Sequence, residues 1–293
     1  MKFRHGLLPA LLLVTSFYAK AQDVSDNTFG KGLVNVVAKD SSYSMSFAAR
    51  FQSLYTSQWG FPEYGEFESG ESSILIRRAR LKFGGFAYTP KLTYKLELGL
   101  SNRDLSGGSE FTHDAPRLIL DAVAKWNFYE NFELWAGQTK LPGNRERLIS
   151  SANMQTVDRS LVNSRFNVDR DLGVQLHHYL LLGEEVLVKE AFALSQGEGR
   201  NVTRGNLGGY QLTARAEIYP FGDFAAYAGG DLRREPTPTL ALGASYDHNV
   251  NADRTISNSG SYMFTATGFF ETDIHTFFFD PFLQYQGFSF LVD

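Results

Sequence analysis

The stretch YSMSFAARFQSLYTSQW, from Tyr43 to Trp59, decides the fold because its residues alternate with a period of two. Apolar side chains such as Phe47 and Phe51 share one parity, and polar side chains such as Gln52 share the other. Successive side chains of a β-strand point to opposite faces, so the pattern predicts a strand with one apolar and one polar face. The stretch is longer than the about 9–11 residues that a tilted strand needs to cross a bilayer.

The same alternation recurs along the rest of the chain. It predicts strands near residues 43–59, 73–87, 91–101, 116–128, 131–139, 171–180, 186–195, 210–219, 239–249 and 273–285, with a further strand starting at 288. Charges on the polar faces and aromatic residues near the strand ends are typical of an all-β, antiparallel transmembrane β-barrel of the porin type. A soluble periplasmic β-sandwich that binds a ligand also alternates and is the alternative fold.

The composition excludes several classes of protein. The 293 residues contain no cysteine, so a disulfide framework, a thiolate metal site and a cysteine nucleophile are absent. A formal net charge of −4 removes the usual electrostatic reason to expect a nucleic-acid partner. The adjacent His177 and His178 would lie on opposite faces of a strand, and the other histidines are scattered. We therefore predict no catalytic residues, no metal site and no cofactor, and hence no enzyme.

The N-terminus has the pattern of a secretory signal peptide. Basic residues precede an apolar stretch from Leu7 to Tyr18, and small residues surround a cleavage point before Gln22. We predict a cleaved signal peptide over residues 1–21, a periplasmic N-terminal segment over 22–42 and the barrel over 43–293. The predicted location is the outer membrane, with its lipid as one partner.

The gaps between predicted strands alternate between long and short, as expected when short periplasmic turns alternate with long external loops. Only 220–238 breaks this order, because a short turn is expected there. The phase makes 141–170 the third external loop, which we expect to fold inward.

The third loop, with its flanking residues, reads LPGNRERLISSANMQTVDRSLVNSRFNVDRD from Leu141 to Asp171. Guanidinium groups are suited to binding phosphate or carboxylate, and several in a pore would attract anions. The candidate constriction residues are Lys140, Arg145, Arg147, Arg159, Arg165 and Arg170. Among these, Arg145, Arg147 and Arg165 are expected to be free donors, whereas Asp158–Arg159 and Asp169–Arg170–Asp171 have the pattern of ion pairs that fix the loop.

The predicted barrel wall carries a second basic element. The inward parity of the early strands collects seven cations and two acids, namely Arg78, Arg80, Lys82, Lys91, Lys95, Arg117 and Lys125 against Glu97 and Asp121. This excess favours anions over cations, and Arg78, Arg80, Lys82 and Lys95 join the candidate anion path. Arg77 falls on the lipid-facing parity and fits only if it lies beyond the hydrocarbon edge.

Four segments together resemble the phosphate-selective porin O and P family, in its Bacteroidetes-type form. They are FELWAGQTKLPGNRERLISSANMQTVDRSLVNSRFNVDRDLGVQL (Phe132 to Leu176), IYPFG (Ile218 to Gly222), DLRREPTPTLALGASYDHN (Asp231 to Asn249) and YQGFSF (Tyr285 to Phe290). The resemblance implies a sixteen-stranded homotrimeric barrel whose third loop folds into the lumen and whose Arg and Lys residues conduct small anions such as phosphate or polyphosphate.

Two further expectations follow. Because Leu291-Val292-Asp293 lie inside the eleventh predicted strand, while bacterial barrels contain an even number of strands, we expect the chain to be C-terminally incomplete. The functional alternative to an anion porin is a non-conducting structural or adhesive barrel, in which external loops such as 60–72 and 250–272 bind partners.

Overall fold

The computed structural model describes residues 33–60, 68–203 and 208–292. The predicted signal peptide, most of the 22–42 segment and the centre of the 60–72 loop lie outside the described residues.

The described chain consists mainly of strands. They are Val34–Val37 (β1), Ser44–Gly60 (β2), Glu68–Ala87 (β3), Thr89–Gly99 (β4), Ile119–Tyr129 (β5), Phe132–Lys140 (β6), Arg170–Leu182 (β7), Val186–Ser195 (β8), Gln211–Tyr219 (β9), Thr239–Ala252 (β10), Arg254–Ile256 (β11), Ser259–Tyr262 (β12), Thr272–Tyr285 (β13) and Phe288–Leu291 (β14). The short helices are Asn102–Leu105 (α1), Arg145–Leu148 (α2) and Leu161–Arg165 (α3), with a 3-10 turn at Glu110–Thr112. Within the described ranges, no helix is both long and apolar enough to cross a membrane.

Twelve strands form one sheet in the order β1 to β10, then β13 and β14, and each pairs antiparallel with its neighbour. The small β11–β12 hairpin forms a separate sheet. The predicted all-β, antiparallel fold is therefore confirmed, and the β-sandwich alternative is wrong because the main strands form a single continuous sheet. The structure adds β1, which pairs with the start of β2 and which the alternation does not predict.

The two faces of this sheet are inverted relative to a water-soluble protein. Large apolar side chains are exposed on one face, which we call the outer face, and they include Phe51, Ile74, Trp126, Val174, Phe192, Phe277 and Phe279. Polar side chains are buried on the other, inner face, and they include Asp121, Gln175, Thr213, Arg215, Glu217, Asp247 and Asp280. An apolar exterior around a polar interior is the arrangement of a membrane barrel.

The short connections join β3 to β4, β5 to β6, β7 to β8 and β13 to β14. They use residues in the left-handed region, such as Tyr88 at φ 64°, Glu130 at φ 37° and Gly183 at φ 69°, as tight hairpin turns require. Since antiparallel neighbours reverse direction, these turns share one end of the sheet, and the longer loops, apart from 220–238, share the other.

The 220–238 connection, the exception to the alternation, folds back against the inner face. Phe224 packs on Phe282 with ring centroids 6.1 Å apart, and Ala226 joins a buried apolar cluster with Tyr219 and Phe282. The Gly229 amide donates to the carbonyl of Asn153 at 2.6 Å. This connection is long because it forms part of the interior at the end of the sheet that carries the short turns.

Candidate functional site

The loop between β6 and β7 contacts both flanks of the sheet. Arg145 reaches the inner faces of β9 and β13, whereas Ser151 accepts hydrogen bonds from Arg50 on β2 and Arg80 on β3. These strands lie far apart in the sheet order, so the sheet curls around the loop.

The first anchor of the loop is a buried ion network around Arg145. Its Nη2 lies 2.6 Å from Glu217 Oε1, and its Nε lies 3.2 Å from Asp280 Oδ1. Arg215 pairs with the same two carboxylates, at 2.9 Å and 2.6 Å, and Tyr227 donates to Glu217 Oε2 at 2.6 Å. Arg145 is 0% exposed, so the expectation that it is a free donor is wrong.

Gly243 on β10 leaves the space that this network occupies. A Cβ atom there would lie 2.1 Å from Asp280 Oδ1 and 2.4 Å from Arg215 Nη2. We expect Gly243→Ala to lower the unfolding free energy by about 1–3 kcal/mol, the usual cost of overpacking. Denaturant titration in detergent measures this change. Gly268→Ala is the control because its Cβ would meet no atom within 4 Å, and equal stability of the two variants would contradict the prediction.

Two cations hold the C-terminal end of α2. Lys140 Nζ donates to the carbonyls of Arg147, Leu148 and Ile149 at 2.7 to 3.1 Å, and Arg159 donates to the carbonyls of Glu146 and Ile149. The last carbonyls of a helix have no partner within the helix and attract positive charge. Burial, reinforced by nearby Arg147, lowers the pKa of Arg159 to about 9. The expected Asp158–Arg159 pair is therefore wrong.

Asp158 instead pairs with two arginines of β3 that lie at a β-bulge. Gln52 pairs with Arg78 and Ser53 with Ile76, so Arg77 is the extra residue. Both Arg77 and Arg78 form ion pairs with Asp158, and Arg78 also donates to Gln52 Oε1 at 2.7 Å. An extra residue shifts the strand parity, which is why Arg77 contacts the loop although simple alternation places it toward lipid.

The C-terminal end of the loop is held by a chain of ion pairs. Arg147 pairs with Asp169, and Arg170 pairs with Asp121 of β5 at 3.0 Å and with Asp169 at 3.6 Å. Burial alone would raise the pKa of Asp169, but Arg147 and Arg170 hold it well below its usual range. The Asp169–Arg170 pair is confirmed, and the expectation that Arg147 is a free donor is wrong.

Asp171 and Arg165 behave differently from these pairs. Asp171 accepts hydrogen bonds from the backbone N–H groups of Gly197 at 2.5 Å and Leu172 at 2.8 Å. Its carboxylate therefore holds the backbone in place and does not pair with Arg170 as expected. Arg165 is exposed on α3, and no ion pair joins it to another described residue. Of the three loop arginines expected to be free donors, Arg165 alone is exposed and without an ion pair among the described residues.

Cations also collect on the inner faces of β2 to β5, and we call this group the basic wall. It consists of Arg50, Arg80, Lys82, Lys95 and Lys125. Lys91 lies near the end of β4 and is exposed, and Arg117 precedes β5 in a loop. Both are therefore left out of the wall, although alternation assigns them to it.

Two members of the basic wall are neutralised by acids. Arg80 lies 2.8 Å from Asp104 of α1 and 3.4 Å from Glu97, and Lys95 lies 2.6 Å from Asp121 and 3.0 Å from Glu97. Burial would raise the pKa of Asp104, but the hydrogen bonds and charge of Arg80 keep it below the usual range. Arg80 and Lys95 are therefore engaged in ion pairs on the inner face.

The other three members have no carboxylate partner among the described residues. Arg50 donates to the hydroxyl of Ser151 at 2.7 Å, and it lies directly opposite Arg80 in the β2–β3 register. Lys82 is exposed, and Lys125 Nζ lies 3.4 Å above the Trp135 ring. Like charges placed opposite each other destabilise a sheet, so this arrangement retains positive charge at a cost in stability.

Sequence reasoning missed Arg50 as a site residue, although its position on the polar parity of β2 is visible in the alternation. The signal that would have found it is the register, which places Arg50 opposite Arg80 and Lys82 opposite Ala48.

Comparison with known proteins agrees with this architecture. No curated protein matches the chain. The family model described as phosphate-selective porin O and P matches residues 50–261, which include the basic wall and the 141–169 loop. The chain therefore belongs to the phosphate-selective porin O and P family of outer-membrane porins.

Proposed function

We propose that this porin admits small anions by passive diffusion along the basic wall. The observation that carries the proposal is the Arg50–Arg80 pair, two arginines directly opposite each other, with Lys82 as the next residue on the same face of β3. Only Arg80 of these three has carboxylate partners among the described residues. A lining of one sign attracts counter-ions and repels ions of its own sign.

The loop arginines have a different role in this proposal. Arg145, Arg159 and Arg170 hold the loop in place, as do Lys140 and Arg78, because their donors are occupied by carboxylates or carbonyls. The loop then acts as a fixed constriction opposite the wall. Arg147 remains a candidate for the anion path, since it is partly exposed. Arg165 is exposed on α3, away from the basic wall, and this proposal gives it no part in selectivity.

Phosphate and polyphosphate are the solutes that this lining suits best. Guanidinium groups donate two parallel hydrogen bonds to an oxyanion, whereas an ammonium group such as that of Lys82 acts as a mobile point charge. A path that begins on Lys82 and passes Arg50 offers both kinds of donor without a competing carboxylate on either.

The test is the reversal potential of the chain in a planar lipid bilayer under a KCl gradient. We expect a sign that reports chloride as the more permeant ion, and we expect added inorganic phosphate to reduce the chloride current by occupying the wall. A cation-selective current would contradict the proposal. A folded chain that conducts nothing would contradict it as well and would favour the structural or adhesive barrel. The homotrimer implied by the resemblance stays a prediction.

A further inference from the structure

The outer face of the sheet brings three potential metal ligands together near the end that carries the long loops. His248 of β10 lies directly opposite His275 of β13 in the register, and their rings stack with centroids 4.1 Å apart. Asp273 is two residues from His275 on the same strand, so it shares that face. His248 is distant in sequence from Asp273 and His275, and the three form a group only through the β10–β13 pairing.

The distances between ligand atoms suit one ion. One ligand atom from each of His248, Asp273 and His275 lies within 4.8 Å of the other two. His248 Nε2 is 3.7 Å from Asp273 Oδ2, which is too long for a hydrogen bond. With metal–ligand bonds of about 2.0–2.1 Å, tetrahedral ligand atoms lie about 3.4 Å apart, so small side-chain rotations would complete the set.

The ligands are also oriented by neighbours. Tyr246 Oη lies 2.8 Å from His275 Nδ1, which leaves the other ring nitrogen for a metal. The Asn251 amide donates to Asp273 Oδ1 at 2.9 Å, which leaves Oδ2 toward His248. His248 Nε2 is enclosed and has no hydrogen-bond partner among the described residues. A buried polar atom without a partner is costly, and a bound cation would satisfy it.

We propose that His248, Asp273 and His275 bind one Zn²⁺-class transition-metal ion. Two imidazoles and one carboxylate are ligands that Zn²⁺ accepts in sites that keep an open fourth position, whereas Mg²⁺ and Ca²⁺ prefer sets made of oxygen alone. The ion would clip β10 to β13 at the base of the 253–271 loop. The site lies on the outer face, so it is independent of conduction along the basic wall.

The test is calorimetric titration of the full chain with ZnCl₂ in detergent, after purification without a polyhistidine tag. We expect one saturable site. His248→Ala and His275→Ala should each weaken binding by about 100-fold or more, because even the loss of a residue that only orients a ligand costs about 10–100-fold. Tyr246→Phe, which removes such a residue, should weaken binding by about 10–100-fold without changing the thermal midpoint of the metal-free chain.

The matched control is His178→Ala. His178 is a single histidine beside Glu190, with Nδ1 and Oε2 3.0 Å apart, so it offers one imidazole where the proposed site offers two. Its removal should leave Zn²⁺ affinity unchanged. ZnCl₂ should also raise the thermal midpoint of the wild-type chain and of the His178→Ala chain, but not that of a folded His248→Ala/His275→Ala chain, and MgCl₂ should raise none of them. Absence of saturable Zn²⁺ binding to the wild-type chain, or equal affinity in the double variant, would overturn the proposal.

Discussion

The Arg145→Met variant is expected to lose about 3–5 kcal/mol of unfolding free energy, the cost of removing one partner of a buried ion pair. Methionine fills a similar volume but leaves Glu217 and Asp280 buried, with Arg215 as the one cation still paired to them among the described residues. It also removes the guanidinium bond to the Ala226 carbonyl at 3.3 Å. Denaturant titration followed by tryptophan fluorescence in detergent measures the loss.

Arg165→Met is the matched control for this prediction. Arg165 belongs to the same loop and is the same residue type, but it is exposed and has no ion pair with another described residue. Its substitution should change stability by no more than about 0.5 kcal/mol, as is usual on a surface. Adding Glu217→Gln to Arg145→Met should recover part of the loss, because a charge without a partner is then removed. Equal stability of the Arg145 and Arg165 variants would contradict the account of the anchor.

The strands were predictable because each residue must suit its own environment, lipid or interior, whatever its distant partners are. Every second side chain must suit lipid and every other must suit the interior, so the alternation from Tyr43 to Trp59 already contains β2. The same holds for β9, where Gln211, Thr213 and Glu217 are buried and Leu212 and Ile218 are exposed. No knowledge of distant partners is needed for such a pattern.

The partners of the loop arginines were not predictable in this way. Arg145 pairs with acids that are 72 and 135 residues away along the chain, and only the curvature of the sheet brings them together. Asp158 and Arg159 are adjacent in sequence, which suggested that they pair with each other. Instead, Asp158 pairs with β3 and Arg159 donates to a carbonyl of α2.

Two other features depended on register. The bulge at Arg77 shifts the parity of β3, but no residue type in β3 indicates its position. The position depends on which residues of β2 lie opposite. Two of the histidines that are scattered along the sequence, His248 and His275, lie opposite each other for the same reason. In both cases the contacts depend on which residue of the neighbouring strand lies opposite, and the alternation within one strand does not contain that information.

The second large effect is expected on ion selectivity when the basic wall loses charge. Arg50→Gln and Lys82→Gln each remove a cation that has no carboxylate partner among the described residues. One unit charge about 4 Å from an ion is worth about 1 kcal/mol in water, which corresponds to about a fivefold change in permeability ratio. The double variant should therefore lose most of its preference for chloride.

The controls separate the wall from the loop and from total charge. Arg165→Gln removes one cation from the loop surface, and Lys39→Gln removes one from the turn between β1 and β2, where Lys39 is exposed. Each changes the net charge as much as one wall substitution does. Both should leave the reversal potential closer to the wild-type value than either wall variant.

The most direct test of the claim that the wall sets selectivity is the reversal potential of the Arg50→Gln/Lys82→Gln chain beside that of Arg165→Gln, under the same KCl gradient. We predict that the wall variant shifts toward the potassium equilibrium potential, whereas the loop variant stays near the wild type. A wall variant that keeps the wild-type potential, or a larger shift in Arg165→Gln, would contradict the account.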